Sequence, residues 1–210
     1  MEITLNRFSY DHLEFVLAPD TTDGIPPVRK IYISGENVGR LNDIRAALIA
    51  YLIARHAIGN SLTFVGLTCP PFLGVAMERD FVGSELFIGP VNNIPAAILP
   101  RETIPVASMT HEHPSNAANF RVDDLGASYR AVIGEKQPIE GLIKTNAKLA
   151  MVGQSDPIEL PYWITLSLVL SDVVGVRNFM LPLLGMQAAE GKTAILNLAR
   201  EGGIDVSDLR

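Results

Sequence analysis

Two of the four histidines in this 210-residue chain lie two residues apart, as His111 and His113. Residues 104–109 before them form a mostly apolar run that predicts a buried strand. Because residues two apart in an extended segment point to the same side, both imidazoles can face one ion. Residues 122–129 have helical character and place Asp124 in the first turn, where the helix dipole favours a carboxylate. Two histidines and one aspartate, with room for a water, predict an open zinc site.

The order of these residues resembles the signature of the JAMM (MPN+) zinc metalloproteases. That signature runs His-x-His-Pro, six residues, a serine, two residues and an aspartate. His111, His113, Pro114 and Asp124 match it without a gap. The match covers about a tenth of the chain.

Two positions depart from the family's pattern. Arg121 stands where the family has a serine that helps to stabilise the tetrahedral intermediate, and Glu112 fills a position that generally holds a small polar residue. The resemblance implies a zinc-dependent peptidase or isopeptidase in which a glutamate upstream of the histidines acts as general base. Glu85, in a turn that leads into a strand, is most similar to that glutamate, and Glu78 is second.

The composition is apolar, with 48% hydrophobic residues, 19% charged residues and a mean hydropathy of +0.23. No run reaches the ~18 uninterrupted apolar residues of a membrane helix, so we expect no membrane span. The surplus of apolar side chains predicts a homo-oligomer or a larger protein assembly.

The charge and the cysteine content argue against two classes of protein and predict the cellular compartment. A net charge of -6 without a basic cluster argues against nucleic-acid binding. The single cysteine, Cys69, excludes an internal disulfide framework and suits a reducing compartment. The first residues lack the basic start and apolar core of a signal peptide, so a cytoplasmic location is predicted.

The pattern of apolar segments predicts an α/β fold, a mixed sheet flanked by helices in a single compact domain. Residues 1–155 are expected to form the core with the metal site, and residues 156–210 an apolar helix/strand/helix segment that packs on the core or on a partner subunit. Residues 41–57 predict an amphipathic helix between two strands, a β-α-β unit whose parallel strands usually come together. Residues 161–174 are apolar nearly all round and predict a buried or an interface helix. Residues 3–17 predict one or two strands, and residues 147–152 predict a further strand. No internal repeat is visible.

Two glycine motifs could suggest phosphate binding. Residues 35–39 lie between a strand and a helix, but they match neither the dinucleotide nor the P-loop pattern, so an ordinary turn is predicted. Residues 185–193 have five residues between the glycines where a P-loop has four. A C-terminal helix over residues 192–200 explains this second segment.

Two functions from different classes rank first, and a small-molecule α/β enzyme that uses the loop after Ile33 ranks last, because Glu36 is its only candidate catalytic group. The first is a zinc-dependent hydrolase, with His111, His113 and Asp124 on the metal and Glu85 as general base. The second is a non-catalytic structural or scaffold protein, such as a shell, virion or complex subunit, in which the histidine turn has no chemical role. The low charged fraction and the apolar residues 162–174 favour the second.

Overall fold

A computed structural model of the chain describes residues 1–59, 61–67, 70, 72–73, 87–89, 106–111, 120–124, 127–133, 141–151, 159–181 and 192–208. For the strands between residues 87 and 133 the description covers the backbone. These ranges form a mixed sheet with helices, which confirms the predicted α/β class. Within them, no helix is both long enough and apolar enough to cross a membrane.

The regular structure of the described ranges comprises eleven strands and four helices. The strands are β1 (Glu2–Ser9), β2 (His12–Ala18), β3 (Lys30–Ser34), β4 (Ser61–Val65), β5 (Phe87–Gly89), β6 (Val106–His111), β7 (Phe120–Asp124), β8 (Ala127–Ile133), β9 (Gly141–Thr145), β10 (Asn178–Leu181) and β11 (Asp205–Asp208). The helices are α1 (Asp43–Ala54), the single turn α2 (Ala147–Ala150), α3 (Glu159–Val174) and α4 (Lys192–Glu201). A 3-10 turn at Val38–Arg40 precedes α1.

The strands form one sheet in the order β11-β10-β6-β8-β7-β9-β3-β2-β1-β4-β5. At its centre β3 and β9 run antiparallel and are joined by two register pairs, Ile33 with Thr145 and Ser34 with Lys144. The predicted β-α-β unit is β3-α1-β4, and its strands are parallel. The sequence predicted that these two strands are neighbours, but β2 and β1 lie between them.

One face of the sheet carries the apolar core. Directly paired residues share a face, and Ile3 is paired with both Leu17 and Phe64, all three buried. Alternation along the strands continues this face across the central junction to Phe179 on β10, which is also buried. The described core residues of β4, β1, β2, β3, β9 and β10 therefore all lie on one face of the sheet.

Helices α1 and α3 belong to this core and pack against each other. Residues 45–54 of α1 and 160–171 of α3 are all buried. The sequence predicted an apolar stripe for α1, but residues 45–54 of α1 are buried all round, and α3 is one of the elements that pack against them. Residues 160–171 of α3 thus bury their apolar side chains within this chain, and their burial does not require a partner subunit.

Two local predictions are wrong. Residues 122–129, predicted as a helix, contain the end of β7 and the start of β8, which pair from Phe120 with Ala131 to Asp124 with Ala127. Pairing with β9 and β6 on the outer sides of this hairpin overrides the local preference. Residues 147–150, predicted as part of a strand, form α2, whose sequence Ala-Lys-Leu-Ala consists of strong helix formers.

The side chain of Asn146 adds hydrogen bonds to the short central junction, the contact between β3 and β9. Pairing between β3 and β9 ends at Thr145, because α2 begins one residue after Asn146. The Asn146 Oδ1 accepts a hydrogen bond from the Tyr32 N–H at 3.0 Å, and its Nδ2 donates to the Lys30 carbonyl at 3.0 Å. The Thr145 hydroxyl donates to the Tyr32 carbonyl at 2.8 Å. Asn146 is only 8% exposed, so its carboxamide replaces a strand backbone where water has little access.

A polar cluster lies where α1, α3 and the end of α4 meet. Arg45 on α1 is buried; it forms an ion pair with Asp172 on α3 and donates from Nε to the Gly202 carbonyl at 2.8 Å. Asp172 also accepts a hydrogen bond from the Asn42 N–H at 2.6 Å. Burial lowers the pKa of Arg45 from its usual value, against the opposing effect of Asp172, and a guanidinium remains charged even so. Among the described residues, the Arg45 Nη2 has no hydrogen-bond partner.

We expect Asn146→Ala to lower the free energy of unfolding by about 3 kcal/mol, because two shielded backbone groups lose their partners at about 1–3 kcal/mol each. Urea denaturation followed by circular dichroism measures the change. Ser34→Ala is the matched control at the same junction, since the Ser34 hydroxyl lies 3.5 Å from the Lys144 carbonyl in an exposed position. Equal losses in the two variants would contradict the role given to Asn146.

We expect Asp172→Ala to cost about 3–5 kcal/mol of unfolding free energy, because it leaves the buried Arg45 cation without its counter-ion. Lys30→Ala should cost at most about 1 kcal/mol, because Lys30 forms only a solvent-exposed pair with Glu14. Those two charges are 4.0 Å apart, and the Lys30 side chain is 71% exposed. Denaturant titrations of both variants test the difference, and a mild effect of Asp172→Ala would show that the helix contact does not depend on this pair.

Candidate functional site

Two of the three predicted zinc ligands are the last residues of their strands. β6 ends at His111 and β7 ends at Asp124. His113, the third ligand, and Glu85 and Glu78, the candidate bases, lie outside the described residues. Among the residues that the structure describes, no group of three His, Cys, Asp or Glu side chains could hold a metal ion. What the structure contributes to the predicted site is therefore the backbone register of β6, β8 and β7.

The register brings His111 and Asp124 to one end of three adjacent strands. His111 is opposite Tyr129 on one side of β8, and Asp124 is opposite Ala127 on its other side. Strand spacings of about 4.8 Å and a rise of about 3.4 Å per residue put the two Cα atoms about 12 Å apart. Since each metal bond is only about 2 Å long, one zinc ion can bind both side chains only if the ends of β6 and β7 come closer together than in a regular sheet.

Both residues occupy register positions on the same face of the sheet. His111 shares a face with Tyr129, Asp124 shares one with Ala127, and positions 127 and 129 lie on one face because strands alternate with a period of two. Through Ala107, two alternations before His111 on β6, this face is the one that holds Phe179. His111 and Asp124 therefore occupy register positions on the face that carries the core.

The strand conformation of β7 separates Asp124 from Arg121. Residues three apart share a side of a helix but lie on opposite faces of a strand. Arg121 is paired with Arg130 and thus occupies the face opposite Asp124. One expectation is therefore wrong: Asp124 ends a strand and does not lie in the first turn of a helix that would favour its carboxylate.

The strand order and the chain connections indicate that the same end of the sheet is a ligand-binding position. β6 and β10 are parallel neighbours; the chain continues from β6 to β7 on one side and from β10 through α4 to β11 on the other. In open α/β sheets, ligands bind outside the carboxyl ends of the strands where successive connections diverge in this way. His111 lies at that end of β6. Sequence reasoning missed this feature, because strand order is not encoded in a local pattern.

The glycine turn at residues 35–39 does not offer a phosphate site. The Gly35 N–H donates to the Asp11 carbonyl at 2.9 Å, the Asn37 N–H to the Asp11 carboxylate at 3.2 Å, and the Gly39 N–H to the Tyr10 carbonyl at 2.7 Å. A Cβ on Gly39 would lie 2.3 Å from the Ser9 carbonyl oxygen, so this close backbone contact needs a glycine. These residues form a turn between β3 and α1, as predicted.

The residue types at the β6 and β7 ends fit a metal. Imidazole and carboxylate groups are ordinary zinc ligands, and three of them leave a coordination position for water. No protein-family model, curated protein or solved structure matches this chain.

Proposed function

We propose that this chain is a zinc-dependent hydrolase that cleaves amide bonds, with the metal held by His111, His113 and Asp124. The observation that carries the proposal is the register of β6, β8 and β7. It brings His111 and Asp124 to the same face and the same end of the sheet. That end is also the carboxyl side of the divergence between β6 and β10, where α/β proteins bind their ligands.

The residues divide the chemistry between them. His111, His113 and Asp124 supply two neutral donors and one negative charge, which leaves a position for water. Bound zinc would lower the pKa of that water and polarise the scissile carbonyl. Glu85 would take the proton of the attacking water and return it to the leaving amine. Arg121 takes no part in stabilising the developing oxyanion in this scheme, because its register position is on the other face.

The proposed substrate class is a peptide or isopeptide bond, following the resemblance to JAMM peptidases. The alternative is a non-catalytic assembly subunit, and the apolar residues 162–174 were one observation in its favour. That observation no longer favours it, because α3 is buried against α1 within the chain. The predicted oligomer stays a prediction that does not depend on α3.

Metal analysis of untagged protein tests the site. Inductively coupled plasma mass spectrometry should find near-stoichiometric zinc in the wild type, and its loss in His113→Ala and in Asp124→Ala, because each removes one of three ligands. His56→Ala is the matched control: it removes an exposed histidine just beyond α1 and should leave the zinc in place. A wild-type protein without metal, even after zinc is supplied, would overturn the proposal.

Separate substitutions test the base. Glu85→Gln should keep the zinc and lower the rate of cleavage of a model isopeptide by about 100-fold or more, the usual contribution of a general base. Glu78→Gln is expected to keep both the zinc and the rate. The opposite pattern would assign the base to Glu78, and unchanged rates in both variants would exclude the two glutamates.

A further inference from the structure

The two halves of the sheet have the same strand arrangement. Outward from the central junction the first half reads β3-β2-β1-β4-β5, and the second reads β9-β7-β8-β6-β10-β11. In the first half β2 is antiparallel to both neighbours, and β1, β4 and β5 are parallel. In the second half β8 is antiparallel to both neighbours, and β6, β10 and β11 are parallel. The arrangements coincide when β7 is left out.

The helices follow the same scheme. In the first half β3 leads through α1 to β4, and in the second β9 leads through α2 and α3 to β10. In both, the helix connects two parallel strands of its own half, and α1 and α3 pack together in one core. Because β3 and β9 are antiparallel neighbours, a half turn about an axis normal to the sheet between them exchanges the two halves.

Strand β7 has no counterpart in the first half. There, β1 ends at Ser9 and β2 begins at His12, so two residues join the equivalent strands. In the second half β6 ends at His111 and β8 begins at Ala127, and residues 112–126 fill the interval. This additional segment contains His113 and Asp124, two of the three proposed zinc ligands.

We infer that the chain is a duplication of one structural unit, and that residues 112–126 are an insertion in the second copy that supplies two of its zinc ligands. The second part of this inference rests on the proposed function. Among the described residues of the first copy there is no comparable metal site, and its own 3-10 turn occupies the equivalent end of β1. There the Gly39 N–H bonds to the Tyr10 carbonyl at 2.7 Å, and Arg7 donates to the Gly39 carbonyl at 2.9 Å.

Excision of the insertion tests the inference in the full chain. In the test variant, residues 112–126 are replaced by a two-residue Tyr-Asp turn, which is the connection between β1 and β2. β8 should then pair directly with β9, as β2 pairs with β3, and the variant should unfold cooperatively with a helical circular dichroism signal like that of the wild type. Its zinc content should fall to background, whereas the wild type keeps its metal.

The outcomes separate the inference from the proposed function. A folded variant that still binds stoichiometric zinc would overturn the placement of the site in the insertion. A wild type without zinc would overturn the proposed function, while a folded excision variant would still support the duplication.

If the excision variant does not fold, an experimental structure of the wild type decides. Superposition of β1, β2, β3, α1 and β4 on β6, β8, β9, α3 and β10 by a rotation near a half turn would support the duplication. A rotation that matches the strands but reverses α3 relative to α1 would overturn it.

Discussion

The whole fold depends on the short antiparallel contact between β3 and β9. Two register pairs join the halves of the sheet, and the Asn146 carboxamide adds two further hydrogen bonds to the β3 backbone. Each of these strands also leads to one of the two buried helices. A helix is excluded from water on every side only if another element covers its outer surface. Helices α1 and α3 pack together, so each shields part of the other from water. The junction brings together the two strands that lead to these helices.

Such an apolar helix pair has few features that fix one relative position. Dispersion and hydrophobic contacts are non-directional, whereas the pair of Arg45 with Asp172 requires a particular alignment of α1 with α3. Arg45 donates to the Gly202 carbonyl, and Asp172 accepts from the Asn42 N–H. The same cluster therefore links the end of α4 and the start of α1 to this ion pair. A buried ion pair adds little net stability, but removal of either partner leaves a charge without compensation.

The candidate site owes its geometry to strand ends. A His-x-His sequence in an extended segment would present both imidazoles to one side, and β6 ends at the first of the two histidines, His111. Asp124 reaches the same face because β7 and β8 form a hairpin between β6 and β9. In the same strand Arg121 occupies a register position on the opposite face, because residues three apart in a strand lie on opposite faces.

The sequence by itself determined the α/β class, the strand segments β1–β4, the helices α1, α3 and α4, and the residue types that could hold zinc. These follow from local periodicity, which reports whether a segment is helical or extended. The tertiary structure decided the hairpin at β7 and β8, the helical turn after Asn146, the burial of α1 on every side and the duplicated strand order. Those features depend on pairing between residues distant in the chain, as when Ile33 meets Thr145. No local pattern encodes such partners, because a strand shows which of its faces is apolar but not which strand lies beside it.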